Sequence, residues 1–327
     1  IPLMFTLFGD TQWLMGFEKA VRGFDIIHSV ELFNGYSAQA VRAKKKGLVK
    51  AVTLTIHENI PFTYKEFAAK MALKQEVIEG TDRFLAINKM SQDMLLLEGV
   101  DESRICVIPQ SVDTSVFRPP GEQDLENLKK LRRKYNLNTE DFVVLAVGRM
   151  VWEKGWYDLI PAALWIAQKL KKVKFVFIGS GPQRNNLETF SIRLGLQNTI
   201  TFTTLPYNQM DSIFRMADLF VYPSLPTKRW NAQFGGGVVT EAMSSGLPIV
   251  ATLNGGVIDL VGGEGGIFLQ PQRFADLADA IIKFACDSKL CKKVGQRNRK
   301  TALSLYNPHV VAKQIKKQWD TILRESS

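Results

Sequence analysis

The sequence predicts an α/β protein of two doubly wound domains, each built on a mainly parallel sheet. Three observations predict it. Short runs of β-branched and aromatic residues alternate with segments of helical periodicity, the pattern of strands joined by helical crossovers. The 327 residues exceed what one ordinary core holds, which sets two domains as the expectation. The alternation breaks at Pro119-Pro120-Gly121 and then restarts.

In the first half, FDIIHSVELF (residues 24–33) reads as a strand running into a loop. A helix is expected over 37–46, stopped by Gly47, whose freedom at positive φ suits a helix end. VKAVTLTIHE (49–58) is the next strand, followed by helical spacing over 64–79, a strand at 84–88 and a helix at 89–97. Residues 105–108 close this half. After the Pro-Pro-Gly break a charged helix over 125–135 is taken as the linker.

DFVVLAVGR (141–149) opens the second half, and a long helix is expected over 156–170. Then follow a strand in KFVFIGSGP (174–182), a helix over 184–194 and a strand over 200–204. A helix over 207–217 and the strand LFVYPS (219–224) come next. The uninterrupted apolar runs at 142–147 and 175–178 suit strands buried on both faces. Ligands of such sheets lie beyond the carboxyl ends of the strands. A last helix is expected over 310–324.

Composition excludes several classes. With 46% apolar and 23% charged residues the chain is an ordinary globular protein, and no apolar run approaches a membrane span. The opening, Ile1 to Phe8, has neither the basic leader nor the cleavage site of a signal peptide. Cys106, Cys286 and Cys291 make no disulfide framework; Cys286 and Cys291 on one helix would stand about 140° apart. Reduced thiols of a cytoplasmic protein are expected. Three histidines suggest no metal cluster. The net charge of +10 favours phosphates, whether of nucleic acid, lipid or sugar nucleotide. No nucleic-acid-binding signature is found, so nucleic acid is set aside. The run Arg42, Lys44, Lys45, Lys46 and Lys50 has two readings: contact with an anionic membrane face, or, favoured, a solvated helix end before Gly47.

The most informative segment is YPSLPTKRWNAQFGGGVVTEAMSSGLPIVATLNGGVID (222–259). Gly235, Gly236 and Gly237 precede a helix expected over 238–245. Glycines there let backbone N–H groups approach an anion, and the helix start adds partial positive charge. Glu241, in the early turns, would accept bonds from vicinal hydroxyls. A phosphate cradle beside such a carboxylate points to a nucleotide-sugar site.

This segment resembles the donor site of the family-four retaining glycosyltransferases of the GT-B fold, the glycosyl transferases group 1. GRMVWEKG (148–155), CVIPQSVDTSVFRP (106–119), IGSGPQRNNL (178–187) and MADLFVYPS (216–224) match further family motifs in the expected order. The resemblance implies two Rossmann-like domains facing a central cleft: an acceptor-side domain over 1–120, a donor domain over 121–307, and a helix over 308–327 crossing back to the first. The family's opening strand and glycine loop are not recognisable, so the chain is expected to enter its first domain partway through. The resemblance also implies transfer of a hexose from a UDP- or GDP-linked donor to a hydroxyl of a glycan, lipid-linked or small acceptor. No cofactor is implied. No Asp-x-Asp motif suggests a metal.

Residue by residue, Arg149 and Lys154 match the positions that meet the donor diphosphate, where cations would neutralise charge on the leaving group. Glu241 matches the second glutamate of the family's pair, which binds the ribose. The first is missing: its place falls on Gln233, or on Ala232 if the glycine loop carries an extra residue, and neither is a carboxylate. His57 matches a histidine that reaches the sugar from the first domain, with Glu58 and Asn59 beside it. Phe234, Gly235, Gly236, Gly237, Gly179 and Leu205 complete the expected donor site, the segment 204–207 holding the base through its backbone. Gly179-Ser180-Gly181 begins a dinucleotide fingerprint but lacks its third glycine. Two rivals stand beside the transferase: a non-catalytic sugar-nucleotide-binding protein, and another GT-B enzyme such as a sugar-nucleotide epimerase or a phosphorylase.

Overall fold

The computed structural model describes residues 12–63, 65, 67–226 and 236–325. The chain divides into two compact units, one comprising Ile1–Pro109 with His309–Ser327 and the other Gln110–Pro308.

In the first unit, β1 (Ile26–Val30), β2 (Ala51–Ile56), β3 (Arg83–Ala86) and β4 (Ile105–Val107) form a parallel sheet in that order among the described residues. The register sets Ile26 against Ala51, Thr53 against Arg83 and Phe84 against Ile105. Helices Gly35–Lys45, Ala68–Gly80 and Lys89–Leu97 make the crossovers. Ala38, Val41 and Val77 from these helices pack on Val52, Leu54, Ile56 and Phe84 of the sheet. The second helix starts at Ala68, where residue 64 was expected.

The last helix, Pro308–Glu325, belongs to this unit. Its Trp319 Nε1 donates to Thr53 Oγ1 at 3.1 Å, and Cys106 Sγ donates to Gln318 Oε1 at 3.1 Å. Val311 packs with Leu85 and Ile108. Every cation of the basic run at 42–50 has an acidic partner, five bases sharing four carboxylates. Arg42 and Lys45 pair with Glu76, Lys44 with Asp82, Lys46 with Glu18 and Lys50 with Asp25.

The second unit carries β5 (Phe142–Val147), β6 (Val173–Ile178), β7 (Ile200–Thr203), β8 (Leu219–Tyr222), β9 (Ile249–Thr252) and β10 (Gly266–Leu269). The order β10-β9-β8-β5-β6-β7 is all parallel and reverses direction between β5 and β8. That reversal is a topological switch point, where two crossovers leave in opposite directions and open a crevice. Alternate residues feed two cores. Val143, Leu145, Phe220 and Ile249 pack under helices Met210–Met216 and Gly236–Ser244. Val144, Ala146, Val221 and Val250 pack under Trp156–Lys169 and Phe274–Cys286.

Two expectations are corrected here. Residues 110–120 and the helix Leu125–Lys134 are parts of the second unit, not a linker. Phe117 is buried, Leu128 and Leu131 pack beside it, and Arg299 Nη1 donates to Thr114 O and Phe117 O at 3.0 Å. A leucine stripe at helical spacing holds the charged helix down. The glycine-loop helix begins at Gly236 rather than 238, so Gly236 and Gly237 form its first turn.

Cys106, Cys286 and Cys291 are free thiols. Cys286 ends one helix and Cys291 lies in the next, Ser288–Thr301.

Candidate active site

In the second unit, the carboxyl ends of four strands are tied side by side. Gly148, just past β5, donates its N–H to Ile178 O of β6 at 2.9 Å, and Gly179 donates to Thr203 O of β7 at 3.0 Å. A Cβ on Gly179 would stand 1.8 Å from Gly148 O, and one on Gly181 would stand 2.6 Å from Met150 O. These two glycines are required by the approach of protein backbone. Gly179 therefore shapes the floor of the site.

The loop after β5 is knitted to the loop after β8 across the switch point. Gly155 adopts φ +70°, and a Cβ there would lie 1.8 Å from Pro223 O. Leu225 N–H donates to Glu153 O at 2.8 Å, and Trp156 Nε1 donates to Arg149 O at 2.9 Å. Gly155→Ala combines left-handed strain with a backbone clash. It is expected to destabilise the second unit by at least about 1–3 kcal/mol, read as a lower midpoint in thermal unfolding.

This scaffold places Arg149 and Lys154 on one loop. Arg149 is 74% exposed, and its Nη2 stands 3.7 Å from Glu153 Oε1. Lys154 ends a short 3₁₀ turn, partly buried, with Nζ 5.5 Å from the centroid of the Tyr222 ring. Burial pulls its pKa down from the usual lysine value; Arg149 adds to that and Glu153 opposes it. A partly desolvated ammonium beside an exposed guanidinium is a site poised for an anion. Nearby, Tyr222 Oη, Ser224 Oγ and both polar atoms of Asn254 are buried without hydrogen-bond partners among the described residues.

Glu241 lies one turn beyond Gly237, 5% exposed, and a Cβ on Gly237 would stand 3.6 Å from its Oε1. Its Oε1 accepts from Tyr207 Oη at 2.8 Å. Burial raises the Glu241 pKa, and the Tyr207 bond partly opposes that. The phenol is pushed up to about 12, by burial of its hydroxyl end and then by the bond and charge of Glu241. Arg184 Nη1 donates to Gly179 O at 3.1 Å and to Thr204 Oγ1 at 2.6 Å, so a third cation lies at the ends of β6 and β7. The Leu205 side chain packs on the core, which leaves its backbone for any ligand.

The side chains of Tyr207, Arg184 and Tyr222 were given no role from the sequence, although Tyr207 ends the segment 204–207 expected to hold the base through its backbone. Each acquires its place only through the sheet order. Tyr207→Phe is expected to raise the Glu241 pKa further, because the lost bond favours the carboxylate. Nucleotide affinity measured by calorimetry across pH should then fall away at a higher pH than in the parent protein.

The remaining expected residue, His57, lies in the first unit at the end of β2. Its Nδ1 is 3.0 Å from Glu31 Oε1, an arrangement the sequence reading did not foresee. Gln233, Phe234 and Gly235 lie outside the described residues, so the place of the missing glutamate is not described. A cavity of about 540 Å³ opens at the amino-terminal edge of the second sheet, lined by Pro119, Leu125, Phe142, Phe214 and Pro248, away from these groups.

A doubly wound unit with cations and a buried carboxylate at the carboxyl ends of its strands has the parts expected of a donor-binding domain. Comparison with known proteins agrees. Residues 127–301, more than half of the chain, match the family described as Glycosyl transferases group 1, and residues 4–116 match Glycosyltransferase Family 4. The chain belongs to this family, with its GT-B fold, and is a hexosyltransferase.

The chain is 28% identical to 2-deoxystreptamine N-acetyl-D-glucosaminyltransferase of Niallia circulans, over 94% of this chain and 80% of that protein. It is 26% identical to the putative teichuronic acid biosynthesis glycosyltransferase TuaC of Bacillus subtilis, over 92% and 72%. Among solved structures, Anabaena HepE in complex with UDP superposes with a TM-score of 0.79 at 20% identity, covering 93% of this chain and 80% of that one. Sucrose-phosphate synthase from Thermosynechococcus elongatus superposes with a TM-score of 0.71 at 21% identity, over 93% and 75%. At those identities the structural likeness concerns the fold.

Proposed function

We propose that the enzyme retains configuration, transferring a hexose from a UDP- or GDP-linked donor to an acceptor hydroxyl without a metal ion. One observation carries the reading: Arg149 and Lys154 share the switch-point edge with Glu241 and the glycine start of its helix. Glu241 takes the ribose hydroxyls, and the Gly236–Gly237 turn and the two cations take the diphosphate. Arg149 and Lys154 supply the positive charge that a divalent ion would otherwise bring to the leaving group. Gln233, Phe234 and Gly235 are assigned to the sugar side of the donor, with Gln233 offering an amide in place of the missing carboxylate. Gly179 and the backbone of Leu205 flank the base, and His57 is assigned to the sugar or acceptor hydroxyl.

The carboxylates at the site are engaged in recognition and structure, which supports direct same-face attack over a covalent sugar–enzyme intermediate. The acceptor oxygen bonds to the anomeric carbon as the bond to the diphosphate breaks. The departing phosphate oxygen takes the acceptor proton.

The acceptor is a glycan, a lipid-linked sugar or a small molecule; the relatives named for teichuronic acid biosynthesis and for 2-deoxystreptamine support a glycan and a small molecule. Three free thiols support a cytoplasmic site of action. No helix among the described residues is long and apolar enough to cross a membrane. The paired charges at 42–50 lend little support to contact with an anionic membrane face, because their attraction is already met within the protein.

The test is a screen of UDP-glucose, UDP-galactose, UDP-N-acetylglucosamine and GDP-mannose for nucleoside diphosphate release, with and without candidate acceptors. Proton NMR of the product then reads the anomeric configuration. Inverted product, or turnover abolished by a chelator and restored by a divalent cation, overturns the reading.

A further inference from the structure

The ends of β1 and β2 hold an unusual pair. Glu31, the first residue past β1, has φ +61°, one of four non-glycine residues with positive φ among those described. A left-handed backbone strains any side chain with a Cβ, and glycine would take it at no such cost. The strain is maintained by close bonding. Glu31 N–H donates to Thr55 O at 3.0 Å, which carries the β1–β2 ladder one residue further before the chain turns. The turn brings the carboxylate over the start of the loop that follows β2. There Oε1 accepts from the backbone N–H of His57 at 3.0 Å and lies 3.0 Å from His57 Nδ1. Oε2 accepts from the N–H of Glu58 at 3.3 Å. The Glu31 side chain is 15% exposed and that of His57 40%.

A merely structural tie between β1 and β2 needs only the two backbone N–H groups. The third bond goes to the imidazole, and it has a chemical consequence. A carboxylate only accepts, so Nδ1 carries the proton and Nε2 is the ring nitrogen left to meet a ligand.

We infer that Glu31 is the positioning residue of His57, fixing the tautomer and orientation with which the ring meets the sugar or acceptor hydroxyl. The inference rests on the proposed role of His57 in the reaction. With the ring neutral, Nε2 accepts a hydrogen bond; with the ring protonated, it donates one. In both states Glu31 holds Nδ1–H. The same carboxylate orders the His57 and Glu58 amides, so ring and loop are set together. The lower end of this loop has its own anchor: Phe62 N–H and the buried Lys74 both bond to Glu98.

The test compares Glu31→Gln, His57→Ala and the double variant, with hydrolysis of UDP-glucose or GDP-mannose, whichever the donor screen selects, as the activity. Glu31→Gln keeps shape and one acceptor but loses the charge and cannot accept at both positions. It is expected to slow turnover about tenfold with little change in donor KM, while the thermal midpoint stays within a few degrees. In the His57→Ala background the same change should have less than a twofold effect, since coupled residues are not additive. Nitrogen-15 NMR should show the Nδ1–H tautomer of His57 in the parent protein and a mixture in Glu31→Gln. Equal losses in both backgrounds, or an unchanged tautomer, overturn the inference. Should Glu31→Gln not fold, Glu31→Asp, which keeps the charge with a shorter reach, is expected to retain the Nδ1–H tautomer while losing turnover. Wild-type turnover or a mixed tautomer in that variant overturns the inference equally. A fast His57→Ala enzyme withdraws the role of His57 itself. A slow His57→Ala beside a fast Glu31→Gln withdraws only the role of Glu31.

Discussion

Lys154→Ala is expected to lower turnover by about 10²–10³-fold, the scale on which removing one preorganised group at a developing charge acts. The diphosphate gains negative charge as the glycosidic bond breaks, so a cation there matters more in the transition state than in the bound substrate. Donor affinity should therefore fall less than single-turnover rate, and rapid-quench kinetics separates the two. Lys154 is the more sensitive of the pair because it is partly desolvated, whereas Arg149 is largely exposed and shares its charge with Glu153. Arg149→Ala should show the same pattern with a smaller loss. Burial, then Arg149, holds the Lys154 pKa below the ordinary 10.5. The charged form is the useful one, so activity should be lost as pH rises through that lowered value. Arg149→Ala, by removing the second cause, should move the alkaline limb upward. Equal single-turnover rates in Lys154→Ala and the parent protein would remove this lysine from the chemistry.

Glu241→Ala is expected to weaken nucleotide-sugar binding by about 1.5–3 kcal/mol, the worth of hydrogen bonds to a charged group. Calorimetry with the nucleoside diphosphate alone reads the loss, because the ribose is present without the sugar. The pH dependence has a definite sign. Burial raises the Glu241 pKa above 4.5, and the ionised form binds hydroxyls best. Affinity should decline as pH falls through the raised value, earlier than for an ordinary carboxylate. Stability runs the other way: a carboxyl whose folded pKa is raised takes up protons on folding, so its contribution weakens as pH rises from the unfolded value through the folded one. Glu241→Gln should thus leave the unfolding midpoint at neutral pH unchanged or higher while affinity drops. Unchanged affinity in both variants would take Glu241 out of the donor site.

Much of this was open to reading along the chain. The strands of the second unit announce themselves because a parallel strand buried on both faces must be almost wholly apolar, as in FVVLAV and LFVY. Expected and observed boundaries agree there within a few residues. β10 and the helices of residues 257–301 were not assigned; β10 is a four-residue edge strand entered through glycines, where neither period nor composition is strong. The unit boundary was misplaced by the Pro-Pro-Gly break. Turn chemistry marks where a chain changes direction, while a domain boundary is set by which core receives the next apolar side chain, and Phe117 goes to the second.

By itself, the sequence determined the alternation of strand and helix and the family, and it supplied the residues of the proposed donor site: Arg149, Lys154, the glycine turn and Glu241. These are local facts, because motifs at strand ends need only neighbours in the chain to be recognisable. Tertiary structure alone decided which partners those residues meet. Glu241 is bound by Tyr207, 34 residues away, and His57 by Glu31, 26 residues away. The basic run at 42–50, an apparent anionic-surface patch in one dimension, is largely offset by four acids between Glu18 and Asp82. The physical reason is common to all three. Charge, tautomer and pKa are set by groups within a few ångströms, and sheet register, not sequence distance, chooses which groups those are.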